Sequence, residues 1–366
     1  MTDEDHGATR LGRRALLGGA GSLLLAGACS PRGMATIEPV PGPPLDPSRA
    51  PSRIVFGSCL DQGLPQPIWQ AIAAARPELL LMIGDNVYAD AEDEATLREA
   101  YAALGRSEGF RQVRAQTPLL ATWDDHDYGR DDAGSEYPLR DVSQRVMLDF
   151  FGEPADSPRR RRPGVYRADV LGAAPRRVQI ILLDCRYFRS ELRRGPSRGR
   201  YQRSDDPADT MLGAAQWSWL EEQLKIPAEL RVLATSVQLL SDDHDYESWG
   251  VLPLERDRLL TLIRSTGASG LIVISGDRHH AELSALEGSA AGYPIYDLTS
   301  SSLNRPTPHP HELNQHRVGE MVDVANFGVI EVDWERGVVA LRIHDERGAA
   351  RLEHKVALAS LTAPRA

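Results

Sequence analysis

Along the chain, short uninterrupted apolar runs alternate with longer stretches in which apolar residues recur every three or four positions. Runs of four to six apolar residues bounded by glycine, serine or aspartate read as buried strands, and the longer period reads as amphipathic helix. On this basis the sequence predicts strands at 53–57, 79–83, 119–123, 178–183, 232–236, 271–275, 295–299, 329–332 and 338–343. Helices are predicted at 67–76, 94–104, 142–151, 214–224 and 254–265. The central runs are too apolar to be half-exposed, so the sheets they form must be covered on their faces by helices. The expected fold class is α/β: one domain of packed sheets flanked by helices, with the last few strands antiparallel and no internal repeat.

Two segments depart from the alternation. Residues 15–28 are small and uncharged, and follow Arg10 and the pair Arg13-Arg14. Fourteen residues are too few to span a bilayer, and the segment reads as the apolar part of a signal peptide covering 1–29. The paired arginines resemble the twin-arginine export signal, whose machinery carries folded proteins and would be a partner of this chain. Leu25-Ala26-Gly27-Ala28-Cys29 resembles a lipobox, with Ala26 where leucine is usual. Cys29 would then be lipidated and anchor the protein to a membrane; the other route, cleavage after Ala28, releases a soluble product. Either way the expected location is outside the cytoplasm, in the periplasm or at the cell surface. Residues 30–52 carry seven prolines and read as an extended tether. The domain proper is expected over 53–366.

Composition narrows the classes. Of 366 residues, 42% are hydrophobic and 26% charged, with three cysteines. This excludes disorder for the bulk of the chain and excludes a disulfide scaffold. Forty-two Lys+Arg against 52 Asp+Glu give a net charge of −10, which disfavours nucleic acid as a partner.

The chemistry gathers at strand ends, where α/β proteins place their ligands. The first predicted strand leads into Phe56-Gly57-Ser58-Cys59, and the second into Gly84-Asp85-Asn86-Val87-Tyr88, with Asp90 following. The third leads into Trp123-Asp124-Asp125-His126-Asp127, then Asp131 and Asp132, and a much later one into Ser275-Gly276-Asp277-Arg278-His279-His280. Five aspartates within 123–132 would repel one another unless cations intervene, and carboxylates suit hard metal ions. Adjacent His279 and His280 diverge, so only one is expected to enter a shared site.

These motifs, with Leu183-Asp184-Cys185-Arg186, resemble in order those of the PhoD-like alkaline phosphatases of the calcineurin-like metallophosphoesterase superfamily. The resemblance implies a sandwich of two mixed β-sheets flanked by helices, and hydrolysis of a phosphate-ester substrate, mono- or diester, by metal-activated water. By position it implies that Asp85 bridges two metals and that Cys59, Tyr88 and His279 hold Fe3+. Asp277 and the pair Asp124/Asp125 would hold Ca2+ or another divalent ion, with one of the pair pointing inward. Asp131 stands where family members usually have asparagine, and would still supply oxygen. His126 would serve as general acid or bind transition-state oxygens, its ring oriented by Asp127. Asp184 and Arg186 would brace the site as a pair.

Other features are less specific. Val237-Gln238, His244, Glu247 and Trp249-Gly250 either line the mouth of the site or order a loop. Arg159–Arg162 and Arg193, Arg194, Arg198, Arg200 and Arg203 read as solvated loops, the alternative being an electropositive rim. His309, His311 and His316 read as an exposed loop near the mouth. The competing functional class is a calcium-binding surface module without turnover, against which the two histidines His126 and His279 argue, since calcium sites rarely recruit imidazole.

Overall fold

The computed structural model describes residues 35–362 except 198, 309 and 310; Cys29 and the signal-like segment lie outside the described residues. In chain order the elements are β1 (Arg53–Gly57), α1 (Ile68–Ala75), β2 (Leu79–Ile83), α2 (Glu94–Arg106), α3 (Glu108–Arg114), β3 (Leu119–Thr122), α4 (Asp125–Tyr128) and α5 (Arg140–Phe150). There follow β4 (Arg167–Leu171), β5 (Val178–Leu182), α6 (Gly213–Leu224), β6 (Leu230–Ala234), α7 (Pro253–Ser265), β7 (Leu271–Ser275) and β8 (Ala281–Leu286). The chain closes with β9 (Ile295–Ser300), β10 (Asn326–Asp333), β11 (Val338–Asp345) and β12 (Ala350–Ala357).

The strands form two mixed six-stranded sheets, ordered β12-β11-β10-β1-β2-β3 and β4-β5-β6-β7-β9-β8. Within them β1, β2 and β3 run parallel, as do β5, β6, β7 and β9. Side-chain alternation decides what each face covers. Ile54, Phe56, Leu79, Leu81 and Ile83 pack in one core with the residues of β5, β6 and β7, while Val55, Leu80 and Met82 pack with Ile72, Leu97, Phe110 and Phe150 from the helices. The sheets therefore meet face to face, and helices cover the outside.

All nine predicted strands and five predicted helices form, with ends shifted by a few residues. The unpredicted strands are those whose composition hides them. β4 is half-exposed along most of its length, β8 reads Ala-Glu-Leu-Ser-Ala-Leu, and β12 faces solvent at most positions. Pairing with a neighbour forms these strands where local propensity would not.

Residues 35–52 correct the expectation of a tether. Ile37 and Val40 pack against the helix-side core, and Leu45 and Ala50 against the inter-sheet core. Backbone bonds fasten the segment: Gly172 N–H donates to Pro47 O at 2.9 Å and Val332 N–H to Ser52 O at 2.8 Å. It is a strap laid across the strand ends opposite those that carry the chemistry. Proline suits it, because extended backbone without a ladder partner needs few N–H donors.

The arginine run is corrected as well. Arg159 is buried, bonded to Glu153 at 2.8 Å and to Val165 O at 2.9 Å, and Arg160 pairs with Asp149 at 2.8 Å. Arg162 lies over the Tyr166 ring, and of the four only Arg161 is exposed. This run clamps the approach to β4 and forms no rim at the site.

Candidate metal centre

The loops after β1, β2, β3 and β7 leave the carboxyl ends of parallel strands and converge. Their backbones are held in unusual conformations. Cys59, Asp85, Asp90, Asp132, Asp277 and His279 all have positive φ, between 44° and 71°, and the only other non-glycine residue so placed among the described residues is Arg76, capping α1. Such conformations cost on the order of 1 kcal/mol each and persist only where the surrounding structure over-determines them, as it does at active sites. Close approach adds to this: a Cβ at Gly84, whose φ is +129°, would lie 2.6 Å from Asp124 Cβ. One at Gly276 would lie 2.4 Å from Ser58 Oγ.

Asp85 is the hub. Its Oδ2 lies 3.0 Å from Tyr88 Oη and 3.4 Å from Cys59 Sγ, and Tyr88 Oη lies 2.8 Å from His279 Nε2. Three sets of potential ligand atoms fall within 4.8 Å of one another: Cys59, Asp85 and His279; Asp85, Asp125 and His126; Asp124, Asp125 and Asp277. The sets overlap at Asp85 and Asp125, so they describe two adjoining nests. Both Asp124 and Asp125 face Asp277, and Asp125 also forms a ligand set with Asp85 and His126. His280 turns away, its Nδ1 2.9 Å from Arg278 O, so His279 alone of the pair enters.

A family model described as PhoD-like phosphatase matches residues 54–352. The chain belongs to this family. It is a phosphoric ester hydrolase, and a metal-dependent one. No curated protein sequence matches it. A solved structure of PhoD is 18% identical and superposes with a TM-score of 0.69, covering 87% of this chain and 72% of that one. A purple acid phosphatase isolated from yellow lupin (Lupinus luteus) seeds is 11% identical with a TM-score of 0.59, covering 86% and 55%. Both likenesses concern the fold. Family membership selects the enzyme over the calcium-binding module.

The residues of this PhoD-like site fit a metal centre on their own chemistry. Asp124 Oδ2 and Asp125 Oδ1 are buried with no hydrogen-bond partner, a costly state for a carboxylate unless a cation meets it. Burial, together with the neighbouring Cys59 and Asp125, pushes Asp85 well above the usual carboxylate range. Burial does the same to Asp124 against the opposing pull of Arg186, and it raises the Cys59 thiol and the Tyr88 phenol. A pocket that resists so many anions is built to receive compensating positive charge.

The structure corrects two pairings and one ligand expected from sequence. Asp127 does not touch His126: its Oδ1 accepts from Asp124 N–H at 2.7 Å and its Oδ2 from Asn86 N–H at 3.1 Å, so it holds the start of α4. The partner of His126 is Asp90, 2.7 Å from Nδ1, which leaves Nε2 turned to the cluster, 4.0 Å from Asp125 Oδ2. Asp184 and Arg186 are not a side-chain pair. Asp184 accepts from Trp123 Nε1 at 2.8 Å and from backbone N–H groups, whereas the Arg186 guanidinium reaches Asp124 and Glu247, each at 2.5 Å. Asp131 stands on the exposed rim and joins none of the three ligand sets among the described residues. Its neighbour Asp132 is the one tied in, with its N–H 2.7 Å from Asp125 Oδ2.

Among the less specific features, Glu247 is buried and holds both Arg186 and Arg189, the latter at 3.1 Å. His309 lies outside the described residues, and His311 and His316 join no ligand set. His244 is buried beside Gln238, with Nε2 3.1 Å from Oε1. Burial, assisted by the Arg278 charge, lowers its pKa from 6.5 to about 4. Between those values the unfolded chain takes up a proton that the folded chain refuses, so this group's contribution to stability is complete above pH 6.5 and fades as the pH falls towards 4. The loss should be on the order of 2–3 kcal/mol. His244→Gln should flatten that part of a urea-melting series across pH 4–7, and an unaltered slope would contradict the assignment.

Proposed function

We propose that the protein is an exported phosphomonoesterase or phosphodiesterase whose first metal is Fe3+, held by Cys59, Asp85, Tyr88 and His279. Asp124, Asp125 and Asp277 would hold Ca2+ or another divalent ion, with Asp85 shared between the two. The observation that carries this reading is the meeting of a thiol, a phenol, an imidazole and a carboxylate around one point, a mixed donor set in which the anionic oxygens suit a trivalent ion and the sulfur and imidazole suit iron. When bound, the metals supply positive charge for the phosphoryl oxygens and lower the pKa of water.

The chain's own residues supply the rest. Asp90 fixes the His126 ring through Nδ1, so that Nε2 can hand its proton to the departing alkoxide oxygen. Burial alone would lower the His126 pKa, yet the facing carboxylates of Asp125, Asp85 and Asp90 carry it to about 12. With Asp85 and Asp125 holding cations, much of that field would be cancelled, and Asp90 would be the partner that keeps the ring charged.

Stripping metal with a chelator should abolish release of both p-nitrophenol from its phosphate monoester and alcohol from a diester, and re-addition of iron with calcium should restore it. The loaded protein should show a visible charge-transfer band. An active preparation that holds no iron by elemental analysis would refute the ferric assignment. Export rests on Arg13-Arg14 and the apolar stretch after them. Replacing both arginines with lysine should retain the protein in the cytoplasm, and Cys29→Ala should release any membrane-anchored fraction.

A further inference from the structure

The cavity beside the metal cluster, about 450 Å³, continues past it. A second cavity of about 400 Å³ adjoins it, and the two share Tyr246, Thr307 and Glu312 as lining. Tyr246 stands at the partition between two arginines. The guanidinium carbon of Arg278 lies 3.9 Å from its ring centroid and that of Arg200 lies 3.8 Å from it. One face of a phenol cannot seat two planar guanidiniums at that distance, so the ring is held between them.

The two arginines differ in what surrounds them. Arg278 is neutralised by Asp277 at 3.3 Å and by Glu312 at 2.5 Å. Arg200 makes no ion pair and no side-chain hydrogen bond among the described residues. Its place is set by the backbone, with Gly195 N–H donating to Arg200 O at 2.7 Å and Tyr201 N–H to Asp245 O at 2.6 Å, and by the ring it lies on. Of the two carboxylates lining the outer cavity, Glu312 serves Arg278 and Asp243 accepts the Gln315 N–H at 2.6 Å; neither pairs with Arg200 among the described residues. His244 is held neutral by burial. Arg200 is therefore an oriented, half-buried cation whose counter-charge the described residues do not supply, one cavity away from the reacting centre.

We propose that the outer cavity is a subsite for a second phosphoryl group of the substrate, and that Arg200, lying over the Tyr246 ring, is the residue that selects for it. The substrate class is then an ester bearing two phosphoryl groups on one organic chain, one seated at the metal cluster and the other forked by the guanidinium. This rests on the phosphoric ester hydrolase reading of the site and adds to it the part of the substrate that is not cleaved.

The test uses the metal-loaded full chain and ligands that cannot be hydrolysed: an alkyl monophosphonate and a series of alkanediyl bisphosphonates of two to six methylenes, titrated by calorimetry. In the natural protein the best-fitting bisphosphonate should bind about tenfold tighter than the monophosphonate, the size expected of one charge-assisted contact. Arg200→Ala should erase that advantage to within about twofold, Arg200→Glu should reverse it, and higher salt should shrink it in the natural protein only. Equal affinities for the two ligand types in the natural protein, or an advantage that survives Arg200→Ala, would overturn the proposal. Neither ligand turns over, so this outcome is read independently of the hydrolase reading, which the same preparations report through phosphate released from an aryl phosphate.

Discussion

His126→Gln is expected to lower kcat by a factor of about 100–1,000, the usual worth of a positioned general acid. Glutamine keeps a hydrogen-bonding group near the leaving oxygen but has no proton to give. The loss should therefore depend on the alcohol. An alkyl phosphate, whose alkoxide leaves poorly, should suffer most, and p-nitrophenyl phosphate, whose phenolate leaves readily, should suffer least. Asp90→Asn should show the same ordering with a smaller loss of about tenfold, because the ring remains but its Nδ1 meets a neutral acceptor where a carboxylate stood, 2.7 Å away. Asp127→Asn should act differently, through the hold on α4, lowering stability and activity on both esters alike. Equal losses on the two esters for His126→Gln would remove proton transfer from the role of this residue and leave only oxygen binding.

Arg186→Met should destabilise the protein by about 3–5 kcal/mol, the cost of leaving buried charges without their partner. Arg186 is wholly buried between Asp124 and Glu247, with Asp125 a further 3.7 Å contact. Its removal strands the Asp124 carboxylate and leaves Glu247 with Arg189 alone, at sites water does not reach. The fall in Tm should be on the order of 10 °C for a domain of this size. Two controls separate the causes. Adding Asp124→Asn should recover part of the loss, since the stranded charge is then gone. Metal loading should also shrink the loss, because cations at Asp124 and Asp125 take over part of the compensation. A Tm that does not respond to either control would mean that shape, not charge, is what Arg186 contributes. Arg186→Lys should rescue little, as an ammonium cannot serve Asp124 and Glu247 in two directions at once.

The parts of the site that sequence displays are those carried by contiguous runs. An apolar run followed by Gly-Asp or Asp-Asp-His places a carboxylate at a strand end, and the structure puts Asp85, Asp124, Asp125 and Asp277 together there. What sequence does not display is who faces whom. Asp127 follows His126 directly and reads as its partner, but in the short turn of helix at 125–128 adjacent side chains diverge. The carboxylate that meets the ring, Asp90, comes from another loop held at a positive φ. The same limit applies to Arg186, two residues from Asp184 yet serving Asp124 and Glu247, which lie some sixty residues away on either side. In the fold, the apolar strands were legible and the polar ones β4, β8 and β12 were not, since only pairing makes strands of them. The proline-rich segment 35–52 shows the converse: its composition says extended, and only Ile37, Val40 and Leu45 reveal that an extended chain can still be packed.

The pairing of β1 with β10 sets a schedule for synthesis. Arg53 and Glu331 sit opposite each other across that ladder, 278 residues apart in the chain. At roughly 5–20 residues per second, about 15–55 s pass between the emergence of the first strand and that of its neighbour. Throughout that interval β1 has an open edge, and for most of it Cys59, just beyond its end, has no His279 to face. The nascent chain thus carries an unprotected edge until β10 is made, and the candidate metal ligands are all present only once residue 279 has emerged. A chaperone that shields the first three strands would be most needed in that window, and pulse-labelled chains truncated before 326 should remain protease-sensitive while those extended past 357 become resistant.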